Sequence, residues 1–182
     1  MAQRTSSEGP AAEGPASEGP ASGGPVPLPL ERDPALGVQV LARGLAATTM
    51  ARVRAAAGSA VRESDGYVFQ HLLPGPLTVG ELAERLGITQ QGASKAVLDM
   101  ERRGLVRRLA DPADRRIRRI ELTSVALDAV HAARLAREEF ARTVEQTLGA
   151  RRAATFRRAL VDLLAATGAD AAVERRSVPA PD

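Results

Sequence analysis

A chain of 182 residues with 44% apolar content and a formal charge of +3 has room for one compact domain of ordinary size with a tail, and not for two large ones. The absence of cysteine removes disulfides, thiolate metal sites and thiol-based redox sensing. No apolar run approaches membrane-spanning length and the N-terminus lacks the basic start and apolar stretch of a secretory signal, so a cytoplasmic protein with no membrane partner is expected.

Residues 1–33 repeat EGPA with small residues between and hold too few bulky apolar groups to bury anything, so they are predicted to form a disordered tail. Asp33 followed by Pro34 is a helix start signal. The helix it opens runs over 34–58 and spaces Leu36, Val40, Leu45, Met50 and Val53 along one side, with alanines that suit close helix approach. Gly58 and Ser59 break it. A second helix, roughly 64–73, carries Tyr67, Val68, His71 and Leu72 at helical spacing and stops at the PGP that follows.

The next stretch has the strongest local signals. Thr78-Val79-Gly80-Glu81 is a capping box, Leu82, Ala83 and Leu86 form the apolar stripe behind it, and Gly87 ends the helix. Ile88 is expected to pack inward, and Thr89 caps a further helix whose buried positions are Ala93, Ala96, Val97 and Met100, with Gly104 terminating it. Two short helices joined by a tight glycine turn make a helix-turn-helix. Leu105, Val106 and Leu109 supply a strand, DPAD a turn, and Ile117, Ile120 and Leu122 a return strand, so 105–122 reads as a β-hairpin, or wing. A long helix starts at Thr123 or Ser124, with Val130, Ala133, Phe140, Val144 and Leu148 on its apolar face. After Gly149 a last helix groups Phe156, Leu160, Leu163 and Leu164, and residues 169–182 are expected to fray. The apolar repeat does not hold over several heptads, which disfavours a coiled coil.

Charge is concentrated in the centre. Residues 95–119 carry nine basic side chains against Asp99, Glu101, Asp111 and Asp114, and arginines occur in pairs at 102/103, 107/108, 115/116 and 118/119. Like charges on neighbouring strands destabilise a free protein unless something anionic comes near, and double-stranded DNA supplies phosphates at short intervals. In a helix-turn-helix the second helix enters the major groove with polar groups facing away from the core. Thr89, Gln90, Gln91, Ser94 and Lys95 meet that need, since glutamine can pair with adenine, serine with base or phosphate, and lysine with guanine or phosphate. A hairpin tip with Asp114, Arg115 and Arg116 can reach a minor groove, while Arg102, Arg103, Arg107, Arg118 and Arg119 are candidates for phosphate contact or for salt bridges. Side chains alternate across a strand, so one of Arg118 and Arg119 faces DNA and its neighbour faces water or an acid such as Glu121. Gly92 costs the reading helix about 1 kcal/mol relative to alanine, for close approach to DNA or by plain tolerance. The plainer reading of the whole polar face is the solvated side of an amphipathic helix.

The run LTVGELAERLGITQQGASKAVLDMERRGLVRRLADPADRRIRRIELT resembles the MarR family of winged helix-turn-helix transcriptional regulators. The resemblance lies in the helix-turn-helix spacing, the RGLV leading into the wing, the DPADRR tip and the closing LT, and in element order it extends over about 34–167. It implies a mainly α fold with a small β-hairpin wing, in which a winged helix-turn-helix domain (59–123) sits between dimerisation helices (34–58 and 124–168). It also implies a homodimer reading a pseudopalindromic operator, commonly as a repressor, relieved by a small-molecule effector bound between the DNA-binding and dimerisation regions. Asp114 and Arg116 match the family's Asp-x-Arg wing tip, with Arg116 in the minor groove and Asp114 steadying it. Ala126 stands where the family usually has glycine after LT.

Tyr67 and His71 fall where members of that family often bind aromatic or anionic ligands, although a histidine packed beside an aromatic is commonly structural. Two distant histidines, His71 and His131, without cysteines or clustered carboxylates argue against a metal, and no nucleophile, base and orienter or glycine-rich phosphate loop is present. No cofactor and no enzyme activity are expected. The competing function is a winged-helix module that holds an acidic protein partner.

Overall fold

A computed structural model describes residues 32–168 of the chain. The predicted tails at 1–33 and 169–182 lie outside these residues, apart from Arg32 and Asp33. The chain divides into an N-terminal unit, 1–37, and a second unit from residue 38 onward. In the first, Asp33 Oδ1 accepts the amide of Leu36 at 2.9 Å, the cap expected ahead of Pro34.

The elements in order are α1 (Pro34–Ala57), α2 (Asp65–Leu72), α3 (Val79–Leu86), α4 (Gln90–Arg102), β1 (Val106–Ala110), β2 (Arg118–Leu122) and α5 (Ser124–Thr167). The fold is mainly α with one antiparallel hairpin. α5 is two helices joined across Gly149, whose φ of 73° and ψ of 159° are open to glycine and strained for other residues.

The core of the second unit forms where α3, α4 and the hairpin meet. Leu82, Leu86, Val97, Met100, Leu105 and Ile120 are fully enclosed, and Val68, Phe69 and Leu72 of α2 with Ala126, Ala129 and Val130 of α5 extend the same cluster. Burying each large side chain contributes roughly 1.5–3 kcal/mol. The start of α3 is fixed by its capping box: Thr78 Oγ1 accepts the Glu81 amide at 3.2 Å while the Glu81 carboxylate accepts the Thr78 amide at 2.7 Å. Gly87 ends α3 in the left-handed conformation, φ 67° and ψ 29°.

The wing pairs Val106 with Leu122 through to Ala110 with Arg118. It is broader than the sequence indicates, because Leu77, expected only to follow a helix stop, exchanges backbone hydrogen bonds with Ile120 at 3.1 and 2.7 Å. This bridge ties the wing to the residue just before the α3 cap. Thr123 closes the other side: its hydroxyl donates to the Gly104 carbonyl at 2.7 Å and caps α5 by accepting the Ala126 amide at 3.4 Å. Ala126 is fully buried there, so the departure from glycine is accommodated by packing.

Two packing expectations are corrected. Ile88 is 36% exposed, because its amide is used by the Ala83 carbonyl at the turn and its side chain points off the core. Ile117 is 40% exposed and lies in the tip, since strand pairing begins only at Arg118. Of the α1 stripe only Val53 is buried; Met50 and Leu45 are half-buried, and Leu36 and Val40 are exposed. On α5, Phe140, Val144 and Leu148 are half-buried, while Leu160 and Leu163 are exposed.

Candidate nucleic-acid interface

α4 presents two faces with different chemistry. Ala93, Val97 and Met100 lock it onto the core, which turns Gln90, Gln91, Ser94, Lys95 and Arg102 outward, all exposed. Thr89, also exposed, accepts the Gly92 amide at 3.1 Å and so fixes the first turn. A methyl group added at Gly92 would press on that capping hydroxyl at 3.2 Å, so the small residue there serves the cap itself.

The wing tip is held by two aspartates. Asp111, buried at the end of β1, accepts the amides of Ala113 at 2.8 Å and Asp114 at 3.4 Å. Its other oxygen takes the Arg119 guanidinium. Arg119 holds the Asp111 carboxyl below its ordinary value, with the Ala113 amide adding to the effect. Asp114 accepts the Arg116 amide at 2.9 Å, an Asx-type turn that sets the backbone beneath that arginine. Arg115 and Arg116 stand exposed at the tip and Arg118 at the start of β2.

The arginine pairs resolve into two populations. Arg103 pairs with Asp65 and Asp99, Arg107 with Glu121, Arg108 with Glu101, and Arg119 with Asp111 and Glu81. Among the described residues Arg102, Arg115, Arg116 and Arg118 form no ion pair with an acid. The expected crowding of like charge is therefore relieved in part from within. Arg107, placed among the DNA contacts by sequence, lies opposite Glu121 in the register and pairs with it across the strands, while its side chain stays exposed. Arg119 finds its partners in Asp111 and Glu81, and Glu121 serves Arg107.

Sequence reasoning missed Asp65 and Asp111 as organisers, and missed the ion pair that Glu81 makes with Arg119 beside its cap. The Thr78 amide, followed by the Thr78 hydroxyl and the Arg119 charge, holds the Glu81 carboxyl below its ordinary value, so one acid caps α3 and steadies the wing. The i,i+4 spacing of Asp99 and Arg103 was the available signal that Arg103, and not Arg102, turns inward.

On the far side of α2, a cavity of about 350 Å³ lies between α1, α2 and α5. Its wall is mostly apolar, including Met50, Val53, Phe69 and Val130, with Arg62, Glu63, Gln70 and Arg137 as polar members. Tyr67 and His71, the expected ligand residues, are half-buried and do not line it. Gly66, Phe69 and Gln70 form the i, i+3, i+4 stripe that faces the cavity, and Tyr67 and His71 lie on the neighbouring stripe. Among the described residues no cluster of histidine, aspartate and glutamate could hold a metal ion, and no helix is long and apolar enough to cross a membrane.

A hairpin bridged to a two-helix unit, with one helix locked by its apolar face and open on its polar face, defines a winged helix-turn-helix protein. Residues 65–117 match the model of the MarR family. Over that stretch the chain is similar to the MarR family, and its fold is that of a winged-helix protein. Similar solved structures include RV1404 from Mycobacterium tuberculosis, at 22% identity and a TM-score of 0.61 over 80% of this chain and 99% of that one. S. aureus MepR in complex with DNA gives 20% identity and a TM-score of 0.59 over 71% and 94% of the two chains. S. aureus MepR bound to ethidium bromide gives 18% and 0.58 over 73% and 95%. These likenesses bear on the fold. No curated protein matches the sequence.

Proposed function

We propose that this protein is a dimeric, sequence-specific DNA-binding transcriptional regulator, a repressor whose grip on a pseudopalindromic operator is relieved by a small ligand. The observation that carries the reading is the open polar face of α4 set beside a wing tip whose arginines pair with no acid among the described residues. Gln90, Gln91, Ser94 and Lys95 read base edges in the major groove; Thr89 and Arg102 contact phosphate; Arg116 enters the minor groove from the turn that Asp114 fixes, with Arg115 and Arg118 on the flanking backbone. Arg107 plays a lesser part, since a phosphate would compete with Glu121. The solved complex of MepR with DNA supports this use of the shared fold.

Dimerisation through residues 34–58 and 124–168 is supported by the apolar side chains that these helices leave exposed, among them Val38, Val40 and Leu41 on α1 and Leu160, Val161 and Leu163 on α5. The cavity between α1, α2 and α5 is the place for the effector, of a size suited to a small organic molecule. The chemistry of a regulator calls for no catalytic residue or cofactor.

Selection of bound duplexes from a random-sequence pool tests the reading. The expected product is an inverted repeat whose half-sites lie about one helical turn apart. A pool that shows no enrichment after repeated rounds would favour the acidic-partner function instead.

A further inference from the structure

The ion pair between α2 and α4 joins two sites that the reading above treats separately. Arg103, at the end of α4, is almost enclosed and every nitrogen of its guanidinium is engaged. It donates to Asp65 Oδ2 at 2.6 Å and Oδ1 at 2.8 Å, to Asp99 Oδ2 at 3.0 Å and to the Ala60 carbonyl at 2.7 Å. Asp65 is itself buried and takes a further bond from the Arg62 amide at 2.7 Å. The Arg62 side chain then reaches Asp99 at 3.0 Å. The short segment 60–65 is thus bonded to α4 at Ala60, Arg62 and Asp65.

The same segment walls the cavity through Val61, Arg62 and Glu63, and α2, which Asp65 opens, contributes Gly66, Phe69 and Gln70. A ligand in the cavity would press on this wall. A forked guanidinium with fixed partners on both sides transmits displacement, because its bonds are directional and a buried unpaired charge is costly. Among the described residues the wing's anchors, Asp111, Arg119, Glu81 and Leu77, do not line the cavity.

We propose that Arg103, clasped by Asp65, is the joint through which occupancy of the cavity sets the attitude of the reading helix. Arg103 is a positioning residue, with no contact to DNA. The inference rests on the function proposed above and adds the route by which an effector acts.

The test is a double-mutant cycle on the full chain. Ala46→Phe, which plugs the cavity from α1, stands in for a bound ligand, with Ala133→Phe as a second plug from α5 should the first fail to fold. Arg103→Lys keeps the charge and removes the fork; Asp65→Asn replaces it if that variant does not fold. The readouts are amide hydrogen exchange over residues 90–103 and affinity for the selected duplex. In the natural chain the plug is expected to speed exchange in α4 and weaken duplex binding by about tenfold, a usual size for coupling between sites. With Arg103→Lys it is expected to do neither. A plug that leaves α4 unchanged in the natural chain, or that acts equally in both backgrounds, overturns the proposal. Exchange needs no DNA, so the two ideas fail separately. Plug-dependent exchange that vanishes with Arg103→Lys, in a protein that binds no duplex, upholds the joint and rejects the DNA reading. Duplex binding with exchange indifferent to Arg103 upholds the DNA reading and rejects the joint.

Discussion

The winged-helix segment and the long helices on either side of it dispose of their side chains in different ways. Between α2 and β2 most large apolar groups are enclosed, Ile88, Leu98 and Ile117 excepted, and the inward arginines are matched by acids, leaving exposed mainly the polar face of α4 and the wing tip. On α1 and the outer part of α5 the reverse holds: many leucines and valines stand in solvent, and among the described residues only Val53 on α1 and Ala153 beyond Gly149 are buried. On the function proposed above, the groups left open in the first region are those that meet DNA, and the exposed leucines and valines of the second are those that another copy would cover.

That contrast can be broken in several places. The largest effect on stability is expected in the winged helix: Arg103→Met leaves Asp65 buried without its partner and should cost about 3 kcal/mol, read from denaturant unfolding. Leu163→Glu, in the unfinished region, should change the stability of the separated chain by less than about 0.5 kcal/mol and yet give a monomer by sedimentation. If Leu163→Glu unfolds the chain as severely as Arg103→Met, the two regions are not distinct.

At the wing, Arg116→Ala should weaken duplex binding by about 1–3 kcal/mol with the melting temperature unchanged. Arg107→Ala should weaken it less, because Glu121 already occupies that guanidinium. Equal losses would erase the division between paired and open arginines. Thr78→Ala, which removes one half of the capping box, should cost about 1 kcal/mol of folding stability.

The smallest effect is a pH response. Asp111 and Glu81 have carboxyls held below their ordinary values by Arg119 and by the Thr78 amide respectively. A depressed folded pKa gives stability that is complete above the unfolded value, about pH 4, and is lost as pH falls through the lower folded one. Asp111→Asn should therefore make stability less dependent on pH below about 4 and leave the slope at neutral pH as it was.

Much of this was legible in the sequence where the causes are local. The Thr78 to Glu81 box, the left-handed Gly87 and the alternation of the wing each depend on a few neighbouring residues. So does the outward face of α4, since Ala93, Val97 and Met100 fix its rotation. What escaped was set by distant partners. Alternation required one of Arg118 and Arg119 to turn inward, but Asp111 and Glu81 decide which. Nothing near Arg103 in sequence announces Asp65 or the Ala60 carbonyl. Helical spacing placed Tyr67 and His71 on one stripe, and only the packing of α1 and α5 shows that the cavity opens on the neighbouring one.

The central claim is that the polar face of α4 and the open arginines of the wing serve a DNA duplex. Its most direct test is a salt titration of affinity for the selected inverted repeat against a scrambled duplex of equal length. The account expects steep loss of affinity with salt for both, with the inverted repeat bound more tightly by orders of magnitude at every concentration. Equal, weak affinity for the two duplexes would contradict it.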